Sequence, residues 1–352
     1  MTTEFLIIGQ GLCGSWLSYW LKEMGRPVHV IDKYNELSPS RLAAGIINPV
    51  TGRRHVSTWK ADILLPFALE HYQAMGTMLG TKGISEKTLI DFFPSPQMRL
   101  SFLKRVEENG EYVGLPSDEN EFRQDFNYDF GFGKIVPSYT AHLEELLPAW
   151  RSHLLSAGEL SAAEFDRAAL EINASGIQYK DIKASFIIFC DGPAGVDDNW
   201  FGKLPYALNK GEILLARIPG LNADHIYKRS ISLVPLGEKD LWWIGSNYGW
   251  ELEPVVITDT FRKQSESVMK NWLKRPFKII DHKISLRPAN IERRPFVGTH
   301  PLYPVLAILN GMGSKGTSLA PYYAKQLAEH LVLGKAIDPE ASLDRFRQIL
   351  SR

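Results

Sequence analysis

The hydrophobic positions of this chain form short continuous runs separated by helical patterns. The runs "EFLIIG" (4–9), "PVHVID" (27–32) and "ASFIIFC" (184–190) are almost wholly apolar. Such runs are typical of strands that are covered on both faces, as in a parallel sheet. Between the first two runs, apolar residues recur at helical spacing from Trp16 to Leu21. The pattern predicts a β-α-β unit at the start of the chain.

The second half of the chain has a different pattern. Residues 231–254 alternate apolar and polar positions on both sides of "GEKD", which predicts a hairpin with one buried face. Residues 208–218 predict another strand, and Thr258 or Asp259 has N-cap chemistry for a helix that follows. Strands that alternate in this way are common in antiparallel sheets. We therefore expect a second, mixed or antiparallel sheet.

Composition and charge exclude several classes of protein. The 352 residues are 44% hydrophobic, and 40 basic residues balance 40 acidic ones, so no global charge favours nucleic acid or an anionic membrane. Two cysteines and nine histidines show neither a disulfide framework nor ligand spacing, so we expect no metal. Glu4 and the glycines after it argue against a signal peptide or a membrane span. We expect a cytoplasmic protein.

A glycine turn follows the first predicted strand. Gly9-x-Gly11-x-x-Gly14 lies between strand and helix, and Asp32 ends the next strand. These glycines permit a tight turn, close approach to a pyrophosphate and helix packing, and the acid accepts hydrogen bonds from ribose hydroxyls. The motif predicts dinucleotide binding rather than a purely structural turn, but it does not separate FAD from NAD. The candidate residues at this end are Gly9, Gly11, Cys13, Gly14, Asp32 and Lys33.

The next segment, "SRLAAGIINP" (40–49), resembles the flavin loop of a known family. This family is the FAD-dependent D-amino-acid oxidase superfamily, in its glycine oxidase and sarcosine oxidase branch. The resemblance implies that Arg41, Ala44, Gly45 and Ile46 lie along the flavin and its phosphates. The alternative is a helix-packing contact made of small residues.

The resemblance continues in order to the end of the chain. "SAAEFDR" (161–167) lies where the family holds the adenine through backbone groups, which makes Phe165 a candidate. "CDGPAG" (190–195) would be an FAD-contacting turn through Asp191 and Gly192. A late turn, "GMGSKG" (311–316), would bring the N-terminus of the last helix to the pyrimidine edge of the flavin. The implied residues are Gly313, Ser314, Lys315, Gly316 and Thr317, and Lys315 either adds positive charge there or is simply exposed.

The segment "SLRP" (285–288) resembles the part of glycine oxidase that binds the substrate carboxylate. The resemblance implies this role for Arg287, and the alternative is an internal salt bridge. Ser232 stands where the family often has a tyrosine, so Tyr248 or Trp250 is a candidate to fill the pocket instead. In the sarcosine oxidase branch, covalent flavin uses a cysteine near the late turn. This chain has no cysteine there, so the resemblance implies non-covalent FAD.

The resemblance implies an α/β fold class, with a Rossmann-like FAD-binding domain built on a parallel sheet. The chain as a whole, with both domains counted, is α+β. A substrate domain on a mixed or antiparallel sheet is inserted into it. The expected segments are 1–78, 133–207 and 289–352 for FAD, and 79–132 and 208–288 for the substrate.

The implied activity is oxidation of the C–N bond of a small amino acid or secondary amine, with oxygen or an unknown electron acceptor. "INPVTGRR" (47–54) and the late turn also resemble the oxidoreductase domain of the bifunctional tRNA wobble-uridine modification enzyme. The same chemistry on an N-substituted glycine unit of a modified tRNA is therefore an alternative. An NAD-linked dehydrogenase and a non-catalytic flavin-binding protein are alternatives from other classes.

Overall fold

The computed structural model of the chain describes residues 1–52, 54–108, 110–173 and 176–352. The strands, in chain order, are β1 (Thr2–Ile8), β2 (Val28–Ile31), β3 (Ile46–Ile47), β4 (Val50–Thr51), β5 (Val56–Ser57), β6 (Ile84–Phe92), β7 (Val113–Gly114), β8 (Phe132–Ala141), β9 (Leu160–Ser161), β10 (Leu170–Asn173), β11 (Gly176–Tyr179), β12 (Ile182–Phe189), β13 (Asn209–Arg217), β14 (His225–Lys228), β15 (Ser232–Pro235), β16 (Leu241–Gly245), β17 (Lys278–Arg287), β18 (Phe296–Thr299) and β19 (Leu306–Asn310). The helices are α1 (Leu12–Glu23), α2 (Pro39–Leu42), α3 (Ala61–Leu79), α4 (Pro96–Glu108), α5 (Leu143–Ser156), α6 (Asp259–Trp272), α7 (Gly316–Leu333) and α8 (Arg347–Leu350).

The first sheet is built around the apolar runs of the sequence. Its order is β10-β11-β12-β1-β2-β9, and β19 adds to β12 and carries β18. The central pairs β12–β1, β1–β2 and β12–β19 are parallel. The predicted parallel sheet is therefore present.

The second sheet is mixed, as the alternating pattern predicts. Its order is β17-β13-β16-β15-β14-β6-β8-β3, with β7 beside β8. The pair β14–β6 is parallel, whereas β15–β16 is the predicted hairpin around "GEKD". Thr258 caps α6 by accepting a hydrogen bond from the Phe261 N–H. The fold is thus a mixed α/β fold with one largely parallel and one largely antiparallel sheet.

The domain boundary at residue 133 does not follow the sheets. Strands β3 and β8, which lie in the segments expected to bind FAD, pair in the second sheet. The apolar pattern of β8 is that of a half-buried strand, and this pattern does not say which sheet the strand joins. We propose that the substrate segment extends to Ala141, where α5 begins the return to the first sheet.

Helices α1, α5 and α7 pack on the first sheet, and α3 packs on α5 and α7. Trp16 of α1 packs edge-on against Tyr72 of α3, with ring centroids 4.9 Å apart, and Trp150 of α5 donates a hydrogen bond to Ser18 Oγ. Because α1 and α7 follow the parallel strands β1 and β19, their N-termini lie at the edge of the sheet where the carboxyl ends of these strands meet. Among the described residues, none of the helices combines the length and apolar character that crossing a bilayer requires.

Candidate functional site

Two adjoining cavities lie at the carboxyl ends of the parallel strands. The first, of ≈ 540 Å³, runs along the early glycine turn, and the second, of ≈ 380 Å³, lies between the late turn and the second sheet. They share the lining residues Gly11, Pro39, Ser40, Cys190, Gly192 and Ser285. We name them the nucleotide cavity and the sheet cavity. Ligands of open parallel sheets bind at this edge.

The early glycine turn has the geometry that its motif predicts. Gly9 has φ +99°, and a Cβ on it would lie 2.5 Å from the Cys190 carbonyl oxygen. A Cβ on Gly14 would lie 1.8 Å from the Gly9 carbonyl oxygen, so α1 starts in direct contact with the turn. Gly9 and Gly11 line the nucleotide cavity, whereas Gly14 does not line either cavity and serves packing.

Asp32 lies at the end of β2 and fixes the turn. Its Oδ2 accepts a hydrogen bond of 2.8 Å from the Gln10 N–H, and its Oδ1 pairs with Arg151 Nη1 at 2.5 Å. The carboxylate also lines the nucleotide cavity, where a ribose hydroxyl of a bound nucleotide can reach it. Lys33 also lines the cavity, but its Nζ pairs with the exposed Glu164. Asp32 is therefore both a candidate ribose ligand and an anchor.

The predicted flavin loop connects the two cavities. Arg41 lines the nucleotide cavity and donates a hydrogen bond of 2.9 Å to Gln10 Oε1. Ala44, Gly45 and Ile46 line the sheet cavity, and Gly45 has φ +70°. A Cβ on Gly45 would lie 2.0 Å from the Ala141 carbonyl oxygen, so the loop packs directly on β8.

Asp191 and Gly192 follow β12 and line the nucleotide cavity. Asp191 Oδ2 pairs with Arg167 Nη2 at 2.9 Å, and its Oδ1 accepts a hydrogen bond from Asn310 Nδ2. Burial, reinforced by Asp198, raises the pKa of Asp191 from 3.8 to about 7. Phe165 lines the same cavity and packs on the Tyr179 ring, with centroids 4.8 Å apart. Phe165 thus lies at the cavity, and its contact with the adenine stays a prediction.

The late turn lines the sheet cavity through Gly313, Ser314, Gly316 and Thr317. The Gly313 N–H donates to the Pro288 carbonyl oxygen at 3.0 Å, which ties the turn to the end of β17. Gly316 and Thr317 begin α7, and N–H groups in the first turn of a helix lack acceptors within it. Their role as donors to an electron-rich ring edge stays a prediction.

The Lys315 side chain takes neither of its two expected positions. It is half-buried, does not line either cavity, and donates to Thr58 Oγ1 at 3.0 Å and Thr51 Oγ1 at 3.4 Å. Burial lowers its pKa from 10.5 to about 8. The side chain therefore fixes the β4–β5 hairpin to the late turn. Sequence spacing alone does not show this, because the direction of a side chain depends on the tertiary packing around it.

Arg287 lines the sheet cavity at the end of β17. Its Nη1 donates to Asn209 Oδ1 at 2.8 Å and to the carbonyl oxygens of Lys210 and Asn247, and its Nη2 donates to Ser246 Oγ at 2.7 Å. In the described ranges of the chain, no carboxylate forms an ion pair with it. Burial lowers its pKa. The guanidinium is thus held by neutral oxygens and keeps its positive charge beside the cavity.

Tyr248 lines the same cavity, and its ring lies over Arg287, with the centroid 4.8 Å from Cζ. Trp250 does not line the cavity and is 67% exposed. Ser232 lines the cavity opposite Gly245, where the resembling family often has a tyrosine. Of the two candidates to fill this space, Tyr248 is therefore the one at the cavity.

Sequence reasoning missed several residues of the site. Ser40 Oγ accepts a hydrogen bond from the Leu12 N–H at the start of α1, and Gln10 and Arg151 surround Asp32. Lys228 and Trp243 line the sheet cavity. The only local signal for Arg151 is its place on the apolar face of α5, between Leu147 and Leu154.

A cluster of possible metal ligands also lies outside the cavities. One ligand atom each of His142, Glu144 and Glu145 falls within 4.8 Å of the others. His142 contacts Ser85, Glu144 accepts from the Gly237 N–H, and Glu145 accepts from Thr81. These hydrogen bonds account for the cluster.

The residues that line the two cavities fit FAD. Gly9 and Gly11 line the nucleotide cavity at the turn before α1, and Asp32 lines it at the end of β2. The sheet cavity continues from it to a second helix N-terminus at α7. Burial raises the pKa of the Cys13 thiol to about 12 and that of Cys190 as well, so both thiols stay neutral at physiological pH.

Comparisons with known proteins agree with this site. Residues 4–330 match the family described as FAD dependent oxidoreductase (DAO). Iminodiacetate oxidase from Chelativorans sp. BNC1 is 19% identical, with a TM-score of 0.77 over 97% of this chain and 98% of that chain. Glycine oxidase from Geobacillus kaustophilus is 18% identical, with a TM-score of 0.78 over 98% of each chain. L-proline dehydrogenase from P. horikoshii is 15% identical, with a TM-score of 0.78 over 99% and 98%.

The fold and the two cavities are those of an FAD-dependent oxidoreductase. The chain belongs to the DAO family of these enzymes. Membership of this family identifies the dinucleotide as FAD, whereas the glycine motif alone did not separate FAD from NAD. The likeness to the solved structures establishes a shared fold.

Proposed function

We propose that this enzyme oxidises the C–N bond of a small amino acid or secondary amine that carries a carboxylate. The observation that carries the proposal is the position of Arg287. Its buried guanidinium lines the sheet cavity and is held by neutral oxygens. A buried cation that is not paired with a carboxylate of the protein favours a carboxylate from the substrate.

The residues around the sheet cavity would bind and orient the substrate. When bound, FAD would supply the acceptor for a hydride from the carbon next to the substrate nitrogen. The nitrogen would lose a proton to solvent, and water would hydrolyse the resulting imine to a carbonyl compound and either an amine or, for a primary amino acid, ammonia. Arg287 would hold the carboxylate, and the first turn of α7 would face the developing negative charge. Tyr248 would close the carboxylate end of the cavity.

A glycine unit attached to a larger molecule is a second candidate substrate. Tyr248 is 58% and Trp250 67% exposed, and both lie on the loop that follows β16 at the cavity. Exposed aromatic rings of this kind stack on planar groups such as nucleobases. An affinity for tRNA that falls steeply with salt would support this candidate.

The proposal is tested by replacing Arg287 with alanine and with lysine in the FAD-loaded enzyme. Dissociation constants would be measured for N-methylglycine and for N-methylpropylamine, which lacks the carboxylate, by the change in flavin absorbance. Loss of a buried partner of a charge is expected to weaken N-methylglycine binding roughly 30-fold or more. Binding of the amine without a carboxylate should stay unchanged. Equal losses for both compounds would contradict the proposed role.

A further inference from the structure

The sheet cavity has a second cation besides Arg287. Lys228 lines it, and no aspartate or glutamate does so in the part of the chain that the structure describes. Gly9 and Gln10 of the early glycine turn line the neighbouring nucleotide cavity, whereas Leu12 and Cys13, at the start of α1, line the sheet cavity. Lys228 and Arg287 line the sheet cavity on the side of the second sheet.

Lys228 is held at one side of this cavity by a buried pair. Its Nζ donates to Asp91 Oδ2 at 2.8 Å, and the same oxygen contacts His55 Nε2 at 3.3 Å. Asp91 and His55 are each 1% exposed, whereas the Lys228 side chain is 29% exposed. Lysine has three N–H donors, and Asp91 takes one of them. Among the described residues Lys228 Nζ has no other hydrogen-bond partner, so two of its N–H donors remain.

The sheet register relates the strand that carries Lys228 to the strand that lies under the Arg287 guanidinium. Lys228 pairs with Ser232, Ser232 with Gly245, and Gly245 with Ile213, and all four residues line the cavity in one row across β14, β15, β16 and β13. The Arg287 guanidinium lies over Gly211, which is also on β13. Three strand intervals of about 4.8 Å separate β13 from β14, roughly 14 Å in all. A ligand that reaches both cations needs two anionic groups several bonds apart.

We propose that the substrate is a dianion: an amino acid whose nitrogen or side chain carries a second anionic group, which Lys228 binds while Arg287 binds the α-carboxylate. This inference rests on the proposed function and names its substrate class. Lys228 is a specificity-determining residue in this account, and the Asp91–His55 pair positions it. A single carboxylate gains nothing from Lys228.

The test uses the FAD-loaded enzyme and two series of N-substituted glycines. One series carries N-carboxymethyl, N-carboxypropyl and N-carboxypentyl groups, and the other carries neutral N-alkyl groups of matched length. Dissociation constants are measured by the change in flavin absorbance for the wild type, Lys228→Met and Lys228→Arg. Lys278→Met is the matched control, because it removes an exposed lysine from the far end of β17.

We expect the wild type to bind the best dicarboxylate at least about tenfold more tightly than its neutral match. Lys228→Met should reduce this ratio to near one, Lys228→Arg should retain most of it, and Lys278→Met should retain all of it and leave N-methylglycine binding unchanged. A wild-type ratio near one at every chain length would overturn the inference, even if Lys228→Met does not fold. If the ratio depends on Lys228 but no amine reduces the flavin, the inference stands and the proposed function fails. If N-methylglycine reduces the flavin but the dicarboxylates bind no more tightly than their neutral matches, the proposed function stands and the inference fails.

Discussion

The guanidinium of Arg287 occupies the space above Gly211 that any side chain there would need. A Cβ added to Gly211 would lie 1.8 Å from Arg287 Nη2 and 2.1 Å from its Cζ. Gly211 lies on β13, beside the strand that carries Arg287. The lack of a side chain at Gly211 therefore lets the cation reach the sheet cavity.

A Gly211→Ala substitution should displace Arg287 without unfolding the protein, because the group that must move is the end of a flexible side chain. We expect the dissociation constant for N-methylglycine to rise roughly tenfold or more, with FAD content and unfolding free energy little changed. Gly114→Ala is the matched control, since a Cβ there meets nothing within 4 Å. Unchanged substrate binding in Gly211→Ala would show that the position of Arg287 does not matter.

Glu212 should stabilise the loop that supports Arg287. This buried carboxylate accepts hydrogen bonds from the Thr258 N–H, the Asn247 side chain and His282 Nε2. Glu212→Gln places an amide donor among these donors, so we expect a loss of about 1–3 kcal/mol of unfolding free energy and weaker carboxylate binding. Urea unfolding and substrate titration would measure both effects. Glu238→Gln, at an exposed ion pair, should change neither one.

Asp32 should contribute to FAD binding through both the ribose and the glycine turn. An asparagine there has one acceptor oxygen, so it cannot serve the Gln10 N–H and Arg151 as the carboxylate does. Asp32→Asn is expected to raise the FAD dissociation constant about tenfold or more, measured by reconstitution of the apoprotein. The exposed Asp197 gives the control, Asp197→Asn. Equal FAD affinities in the two variants would exclude this role.

Asp191 should make stability depend on pH. Because burial raises its pKa from 3.8 to about 7, the folded protein holds a proton there that the unfolded chain has released. Its contribution to the unfolding free energy therefore falls as pH rises from about 4 to about 7, by up to about 1.4 kcal/mol per pH unit, and is level above that. Relative to the wild type, Asp191→Asn should gain stability across this window. A difference in unfolding free energy between wild type and Asp191→Asn that is the same at every pH would contradict the raised pKa.

The sequence predicted the parts of the site that are local. The strand, the glycine turn, the helix and Asp32 lie within one β-α-β unit, so their spacing predicts their geometry. Arg151 lies 119 positions from Asp32, and no local pattern links them. Its presence on the apolar face of α5 is the signal that it is buried and paired.

The second sheet shows the same limit. Alternation predicted its strands and the β15–β16 hairpin, but the order of the strands depends on long-range packing. The row from Lys228 to Ile213 follows only from that order. This is why β8 was expected in the other domain and why Lys228 was not a candidate.

The most direct test of this account is the visible spectrum of the FAD-loaded protein, held without oxygen and titrated with glycine, N-methylglycine and the N-carboxyalkyl glycines. The account predicts an oxidised flavin spectrum that at least one of these amines bleaches, and no bleaching by the same compound in Arg287→Ala, whose flavin remains bound. A protein that does not take up FAD would contradict the account, as would a flavin that stays oxidised with every amine.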